Sequence, residues 1–348
     1  MSPFNISWQA VNLKLDQPFT IARGTKTHVR NVFVQLRSDG ITGYGEADPN
    51  TRYDEDAGTV SAYLKELPDT FFDDIGSPEQ LYQAIDQWSA NGVQSAKSAV
   101  ETAWLDWWSQ KQEKPLWKLW GISSNTTPPT SYTIGLDTIE VMQQKVETAE
   151  EYPILKVKLG TDRDREIIEG IRKVIDKPIR VDANEGWTNL DEAKQQISFL
   201  AGQDIELVEQ PMPVGMHEAM RQLKAWSPLP LMADESFKSN ENLDQVATEF
   251  DGINIKLSKI GSLVKGRKVI GRAREHNLQV MIGCMISSSV AITAGALLGT
   301  QADYVDLDGH LLIADDPFTG AQLNEQKQVV LSEKPGLGLE ANSDQDER

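Results

Sequence analysis

IRVDANEGW (179–187), ELVEQPMP (206–213) and LMADES (231–236) are three short stretches in which an apolar run leads into a carboxylate, at Asp182, Glu209 and Asp234. Reading outward in the same rhythm, KVKL (156–159) carries Lys156 and Lys158, and INIKL (253–257) carries Lys256. The steps from Lys158 through Asp182, Glu209 and Asp234 to Lys256 are 24, 27, 25 and 22 residues. One strand, one helix and two short loops consume about that much chain. A reactive side chain at the carboxyl end of each successive strand of a βα series is the arrangement of a barrel active site.

The series extends both ways. SYTIGL (131–136), with Thr133, lies 25 residues before Lys158; VMIGCM (280–285), with Cys284, lies 28 beyond Lys256; YVDLD (304–308), with Asp306, is a further 22. These make eight candidate strand ends. Between them, segments such as DREIIEGIRKVI (164–175) and LDEAKQQISFLAG (190–202) place apolar residues at helical spacing. Strands alternating with helices imply a parallel sheet, and eight such units close into a barrel. A single carboxylate after a strand often only caps the next helix. Ionisable side chains at six of the eight ends exceed what capping explains.

The 348 residues suffice for a large core and more than one domain, and 39 % apolar with 25 % charged residues is ordinary for a globular protein. A formal net charge of −18 disfavours nucleic acid and anionic membranes as partners. One cysteine, Cys284, allows no intrachain disulfide and suits a reducing compartment. The opening MSPFNISWQAVNLKLDQPF lacks the basic start and apolar core of a signal peptide, and no apolar stretch approaches the roughly 18 residues of a membrane span. A cytoplasmic location is therefore expected.

Residues 1–125 do not follow the barrel rhythm and are expected to form an α+β domain. FNISWQAVNLKL, NVFVQLRS and ITGYGEA read as strands, followed by helices over about 54–67, 78–90 and 93–113. Trp104, Trp107, Trp108, Trp117 and Trp120 lie at spacings that favour core over a ligand platform. SSNTTPPTS (123–131) reads as the loop between this domain and a barrel over 126–315. Beyond it, residues 316–348, broken by Pro317, Pro335, Gly336 and Gly338, are expected to forgo an eighth helix and return to the first domain, ending in a frayed ANSDQDER. PFTIARGTKTHVRN (18–31) and DPNTRYDED (48–56) read as polar loops able to close over the barrel mouth, bringing Arg23, Arg30, Arg52 and Tyr53.

Asp182, Glu209 and Asp234 converging from adjacent strands form an all-oxygen site suited to Mg²⁺, one ion per subunit, with positions left for water or a substrate carboxylate. His28, His217, His276 and His310 are scattered and offer no competing site. A carboxylate held by such an ion can take up the charge left when its α-proton departs. The base is then a lysine whose pKa falls from about 10.4 toward neutrality. Lys156 and Lys158 share a strand face, and two neighbouring ammonium groups disfavour each other's charge, which casts Lys158 as base and Lys156 as tuner. Lys158 and Lys256 come from strands four apart, opposite each other in an eight-stranded barrel, so they approach a bound α-carbon from opposite faces. That geometry favours racemisation or epimerisation.

KVKLG, VDANEGW, VEQP, ADES and NIKLSKIG, in this order, resemble the motifs of the enolase superfamily, in its muconate-lactonizing subgroup, over nearly the whole chain. The resemblance implies a modified (β/α)7β TIM-type barrel under an α+β capping domain, with Lys158 and Lys256 as paired bases and Asp182, Glu209 and Asp234 as Mg²⁺ ligands. DLDG (306–309) resembles the Asp-x-Asp of the dipeptide epimerases, in which Asp306 and Asp308 would hold the substrate's ammonium. PFTIARGT, TRY and GCM are similar to the L-Ala-D/L-Glu epimerase branch, and Thr133, the backbone near Cys284, Arg23 and Tyr53 would meet the substrate. ISSS (286–289) departs from the acidic or threonine-bearing segment many members carry there, which leaves the shape of the side-chain pocket open. The expected partner is a small dipeptide; a homo-oligomer is left open. Competing readings are an epimerase for hydrophobic or cationic dipeptides, a cycloisomerase, o-succinylbenzoate synthase or N-acyl amino acid racemase, and a non-catalytic protein on the same fold. The last would be expected to lack at least one of the five central groups.

Overall fold

The computed structural model describes residues 2–88, 92–239 and 242–342. Residues 89–90 of the second expected helix and 343–348 of the tail lie outside them. The chain begins with an antiparallel sheet, β1 (Asn5–Ile21), β2 (Gly24–Ser38) and β3 (Ile41–Ala47). The β2–β3 turn carries Asp39 and Gly40 at φ 51° and 77°, the paired left-handed conformation that matches strand twist. Four helices follow: α1 (Ala57–Glu66), α2 (Pro78–Trp88), α3 (Gln94–Lys111) and the short α4 (Leu116–Leu119). Helix α3 lies directly on β3, because a Cβ at Gly43 or Gly45 would fall 2.0 Å from a carbonyl oxygen of Ala103 or Ala99. The five tryptophans between 104 and 120 belong to the core. Trp104 and Trp107 are buried, the other three pack partly buried against the same cluster, and Trp107 Nε1 donates to Ser38 O at 3.0 Å.

Two segments read as loops are strands. PFTIARGTKTHVRN is the tip of the β1–β2 hairpin, with Phe19 opposite Lys26, Thr20 opposite Thr25 and Ile21 opposite Gly24. Its polarity misleads because the ribbon projects beyond the core and both faces stay largely open. Within SSNTTPPTS, β4 (Thr126–Pro129) pairs with a strand near the carboxyl terminus, and its prolines fit because it is an edge strand.

The barrel alternates strand and helix: β5 (Tyr132–Ile134), α5 (Ile139–Thr148), β6 (Leu155–Lys158), α6 (Asp164–Arg172), β7 (Ile179–Asp182), α7 (Leu190–Leu200), β8 (Ile205–Glu209), α8 (His217–Trp226), β9 (Leu231–Ala233), α9 (Leu243–Glu249) and β10 (Gly252–Lys256). A short α10 (Leu257–Ile260) precedes α11 (Leu263–Glu275), then come β11 (Gln279–Gly283), α12 (Ser289–Gly299) and β12 (Tyr304–Asp306). All eight strands are parallel and neighbour one another in chain order. The ring is closed beside β5, where Thr130 bridges Val305 and Ser131 N donates to Val305 O. Seven helical connections join eight strands, and only a 3₁₀ turn, Gly309–Leu312, follows the last. This is a (β/α)7β barrel.

The remaining chain forms β13 (Phe318–Thr319), β14 (Gln322–Leu323), β15 (Gln328–Val330), which pairs with β4, and β16 (Glu340–Ala341), which pairs with β13. It runs against the first domain: Leu116 N donates to Gly336 O, Trp117 Nε1 to Ser332 O and Leu337 N to Asp106 Oδ1, and Phe318 stacks on Phe33 at 5.4 Å. No helix among the described residues is long and apolar enough to cross a membrane.

Candidate active site

Parallel pairing sets Lys158, Asp182 and Glu209 side by side at the ends of β6, β7 and β8. Asp234 stands one residue beyond β9. Each of the three acids is buried, and each offers an oxygen within 4.8 Å of the others. Four lysines serve this cluster. Lys158 Nζ donates to Asp182 Oδ2 at 2.6 Å, Lys256 Nζ to Asp234 Oδ2 at 2.8 Å and Lys259 Nζ to Asp234 Oδ1 at 2.6 Å. Lys156 Nζ lies 2.7 Å from Glu209 Oε2, 3.3 Å from Asp182 Oδ2 and 2.6 Å from Asp306 Oδ2.

These contacts sort the acids. Burial raises the affinity of each for a proton, but Lys158 and Lys156 outweigh it at Asp182, and Lys256 and Lys259 do so at Asp234, holding both below the usual carboxylate range. Glu209 goes the other way: burial, then the negative charge of Asp182, push it up. Its Oε2 accepts no aligned hydrogen bond despite the nearby Lys156 ammonium. A buried, all-oxygen cluster in which one acid is short of positive charge fits a hard divalent cation of the Mg²⁺ kind.

A cavity of about 490 Å³ lies between the hairpin tip and the barrel mouth. Lys156, Lys158, Asp234 and Lys256 line its floor, and Thr133, Cys284, Asp306 and Asp308 its β5–β11–β12 side. Arg23 and Tyr53 come from the capping side, together with Arg30 and Arg52. Burial, then the charge of Asp234, push the Tyr53 hydroxyl above its ordinary value, so it remains protonated, a neutral donor beside the floor.

The residues expected around the triad make the following contacts. Asp306 is engaged by the protein itself, by Lys156 at 2.6 Å and Ser131 Oγ at 2.8 Å. Lys156 outweighs burial there and keeps this carboxyl below its ordinary range. Asp308 has no ion-pair partner among the described residues; Thr133 bonds it through its side chain and through its backbone N–H, the latter at 2.6 Å, and burial, then Asp306, push it up to about 6. Lys156 does not simply face Lys158: both reach the same Asp182 oxygen. Its three acids overcome the desolvation that opposes its charge and hold it well above its ordinary pKa. Arg23 is tied to the barrel, donating to Glu235 Oε1 at 2.9 Å and Asn184 O at 3.2 Å. Arg52 makes a second tie, bidentate to Glu185.

The sequence reading missed Lys259, Asn254 and Glu235. Asn254 shares a strand face with Lys256 by the two-residue repeat and donates to Glu209 Oε1 at 2.8 Å. Lys259 is one helical turn past Lys256, a spacing visible in NIKLSKIG. No signal marks Glu235, because strand alternation stops at Ala233.

Barrel, capping sheet and acid–lysine cluster together define an enolase-type enzyme. Models of the mandelate racemase / muconate lactonizing enzyme N-terminal domain and of the enolase C-terminal domain-like fold match residues 5–121 and 139–345, and the chain belongs to this family of the enolase superfamily. An L-Ala-D/L-Glu epimerase of Bacteroides thetaiotaomicron is 38 % identical, over 94 % of this chain and 85 % of its own length. A hydrophobic dipeptide epimerase of Flavobacteria bacterium (strain MS024-2A) is 36 % identical, over 91 % of this chain and 93 % of its own. The structure of a dipeptide epimerase from Cytophaga hutchinsonii, complexed with Mg and D-Ala-L-Val, superposes with a TM-score of 0.90 at 26 % identity, covering 99 % of this chain and 97 % of that one. The protein is an isomerase of the epimerase and racemase kind.

Proposed function

We propose that this protein is a Mg²⁺-dependent dipeptide epimerase that inverts the α-carbon of the second residue, with L-Ala-D/L-Glu as substrate, by two-base 1,1-proton transfer. The observation that carries the reading is that Lys158 and Lys256, from strands four apart, line one cavity, each against a different acid of the triad. In this reading one lysine takes the α-proton and the other returns one to the opposite face. Held by Asp182, Glu209 and Asp234, Mg²⁺ supplies the positive charge that offsets the negative charge developing on the substrate's carboxylate. Lys156, fixed as a cation, neutralises Asp306 and binds the triad's flank. Asp308 is the free carboxylate for the dipeptide's ammonium, with Thr133 beside it and Cys284 and Tyr53 on the walls. Arg23 ties the hairpin over the site.

In this division residues 1–125 are the capping domain, 126–315 the barrel and 316–348 the returning segment. A second reading, a preference for hydrophobic side chains, draws on Phe19, Ile21, Val29, Ile286 and Leu312 along the cavity wall. Exchange of the α-proton with D₂O across a dipeptide library, with and without Mg²⁺, decides both points. The proposal expects Mg²⁺-dependent exchange fastest for L-Ala-L-Glu; exchange that ignores a chelator, or none with any dipeptide, refutes it.

A further inference from the structure

Lys259 differs in its setting from the other three lysines of the cluster. Lys156, Lys158 and Lys256 line the cavity between hairpin and barrel, and Lys259 does not. Its side chain is buried behind Asp234, where Nζ donates to Asp234 Oδ1 at 2.6 Å, to Asp234 O at 2.7 Å and to Asn254 O at 3.2 Å. An ammonium has three N–H groups, so these acceptors leave none for a substrate. Asn254 continues the network to Glu209, and it is seated against Gly283, where a Cβ would come within 2.5 Å of Asn254 Oδ1. One buried network from β10 and α10 therefore reaches two of the three triad acids.

Asp234 is divided between two lysines, with Oδ1 on Lys259 and Oδ2 on Lys256. Holding one carboxylate oxygen and the main-chain oxygen of the same residue fixes the plane of the carboxylate. The second oxygen, on which Lys256 rests, is fixed with it. Lys158 depends on a separate set: its contact, Asp182, is held by Lys156 and by the backbone N–H of Asn184 at 3.0 Å.

We propose that Lys259 is a positioning residue for one face of the site: through Asp234 it sets the place of Lys256, and it has no comparable hold on Lys158. The proposal rests on the two-base reading above and sharpens it, because the two faces then have separate supports. Loss of Lys259 must act on one stereochemical direction more than on the other. A general loss of packing has no such preference.

The test uses the full-length Mg²⁺-loaded protein and its Lys259→Met and Lys259→Gln variants. Initial α-proton exchange is measured separately on L-Ala-L-Glu and L-Ala-D-Glu in D₂O, with Lys158→Ala and Lys256→Ala as references for each face. Melting temperatures with and without Mg²⁺ give a readout independent of turnover. In Lys259→Met, the diastereomer that depends on Lys256 should lose at least about tenfold more exchange than the other, the loss expected on removing a charge-assisted hydrogen bond. Melting should still rise with Mg²⁺. Lys259→Gln, which retains an N–H donor, should fall between, and it carries the comparison if the methionine variant does not fold. Equal losses on both diastereomers overturn the proposal, as does unaltered exchange, or a lost Mg²⁺ response without asymmetry. If Lys158→Ala and Lys256→Ala show no opposite preference, the two-base reading fails and this proposal with it; if they do and Lys259→Met does not, only the proposal fails.

Discussion

Replacing Asp308 by Asn isolates the group proposed to recognise the dipeptide's amino end. Of the two acids in DLDG, Asp306 is neutralised by Lys156, whereas Asp308 is bonded by the neutral Thr133 and has no ion-pair partner among the described residues. A charge-assisted hydrogen bond to an ammonium is worth about 1.5–3 kcal/mol, and about 1.4 kcal/mol is a factor of ten. Asp308→Asn should therefore raise KM for L-Ala-L-Glu about 10- to 100-fold, with a smaller effect on kcat. The pH profile gives an independent check. With its pKa pushed up to about 6, Asp308 is anionic above that pH and neutral below it. As pH rises through about 6, kcat/KM should climb, then fall above about 8 as the substrate's own amine loses its proton. The variant should lack the acid limb. Polarimetry or circular dichroism of the dipeptide between pH 5 and 9 (roughly the window set by these two groups) follows both quantities. An unchanged KM in a folded variant, or N-acetyl-L-Ala-L-Glu turned over as well as the free dipeptide, refutes the ammonium role and favours an N-acyl amino acid racemase.

Asp182→Asn, Glu209→Asn and Asp234→Asn should each lower turnover by about a thousandfold, about 4 kcal/mol of lost charge stabilisation, and weaken Mg²⁺ binding measured by calorimetry; normal activity in the presence of a chelator contradicts the metal assignment. Lys158→Ala and Lys256→Ala should each abolish net epimerisation while the surviving lysine still exchanges the α-proton of one diastereomer, by resemblance the D form in Lys158→Ala, served by Lys256, and the L form in Lys256→Ala, served by Lys158; full interconversion by either variant rules out two bases. Asp306→Asn should act on stability more than on KM, because breaking a buried ion pair costs about 3–5 kcal/mol, visible as a lower melting temperature. Gly45→Val should fail to fold or melt far lower, since its Cβ alone would sit 2.0 Å from Ala99 O; a normal melt shows that α3 can lift from β3.

The barrel was legible because its strand ends are chemically marked. Lys158, Asp182, Glu209, Lys256 and Asp306 each end a strand, and Asp234 and Cys284 stand one residue past one. Helical periodicity supplied the rest. The tip of the β1–β2 hairpin and β4 were not legible, because an edge or projecting strand buries too little on either face to carry an alternating pattern. Ser288 and Ser289 of the ISSS segment show a related limit. They bind Glu46 of the capping sheet and Asp316 of the returning segment, so the unusual serines join three parts of the chain at the start of α12. Only Ile286 of that segment lines the cavity.

What sequence could not supply is which charge meets which, and depth along the strands decides that. Residues two apart on a strand share a face but differ by about 6–7 Å in height. In Lys156/Lys158, Asn254/Lys256 and Asp306/Asp308 the earlier residue lies one layer deeper, and each deeper residue is committed to another protein group: Lys156 to Asp306 and Glu209, Asn254 to Glu209. The later residues, Lys158, Lys256 and Asp308, end their strands or stand beyond them, and they line the cavity together with Lys156 and Asp306. A motif such as K-x-K or D-x-D thus puts one residue type in two settings: Lys156 lies against three acids and Lys158 against one, and Asp306 lies on a lysine while Asp308 has no ion-pair partner among the described residues. Spacing alone hides the partner of the deeper acid, because Asp306 finds its cation, Lys156, 150 positions away in sequence and on a strand that is not its neighbour.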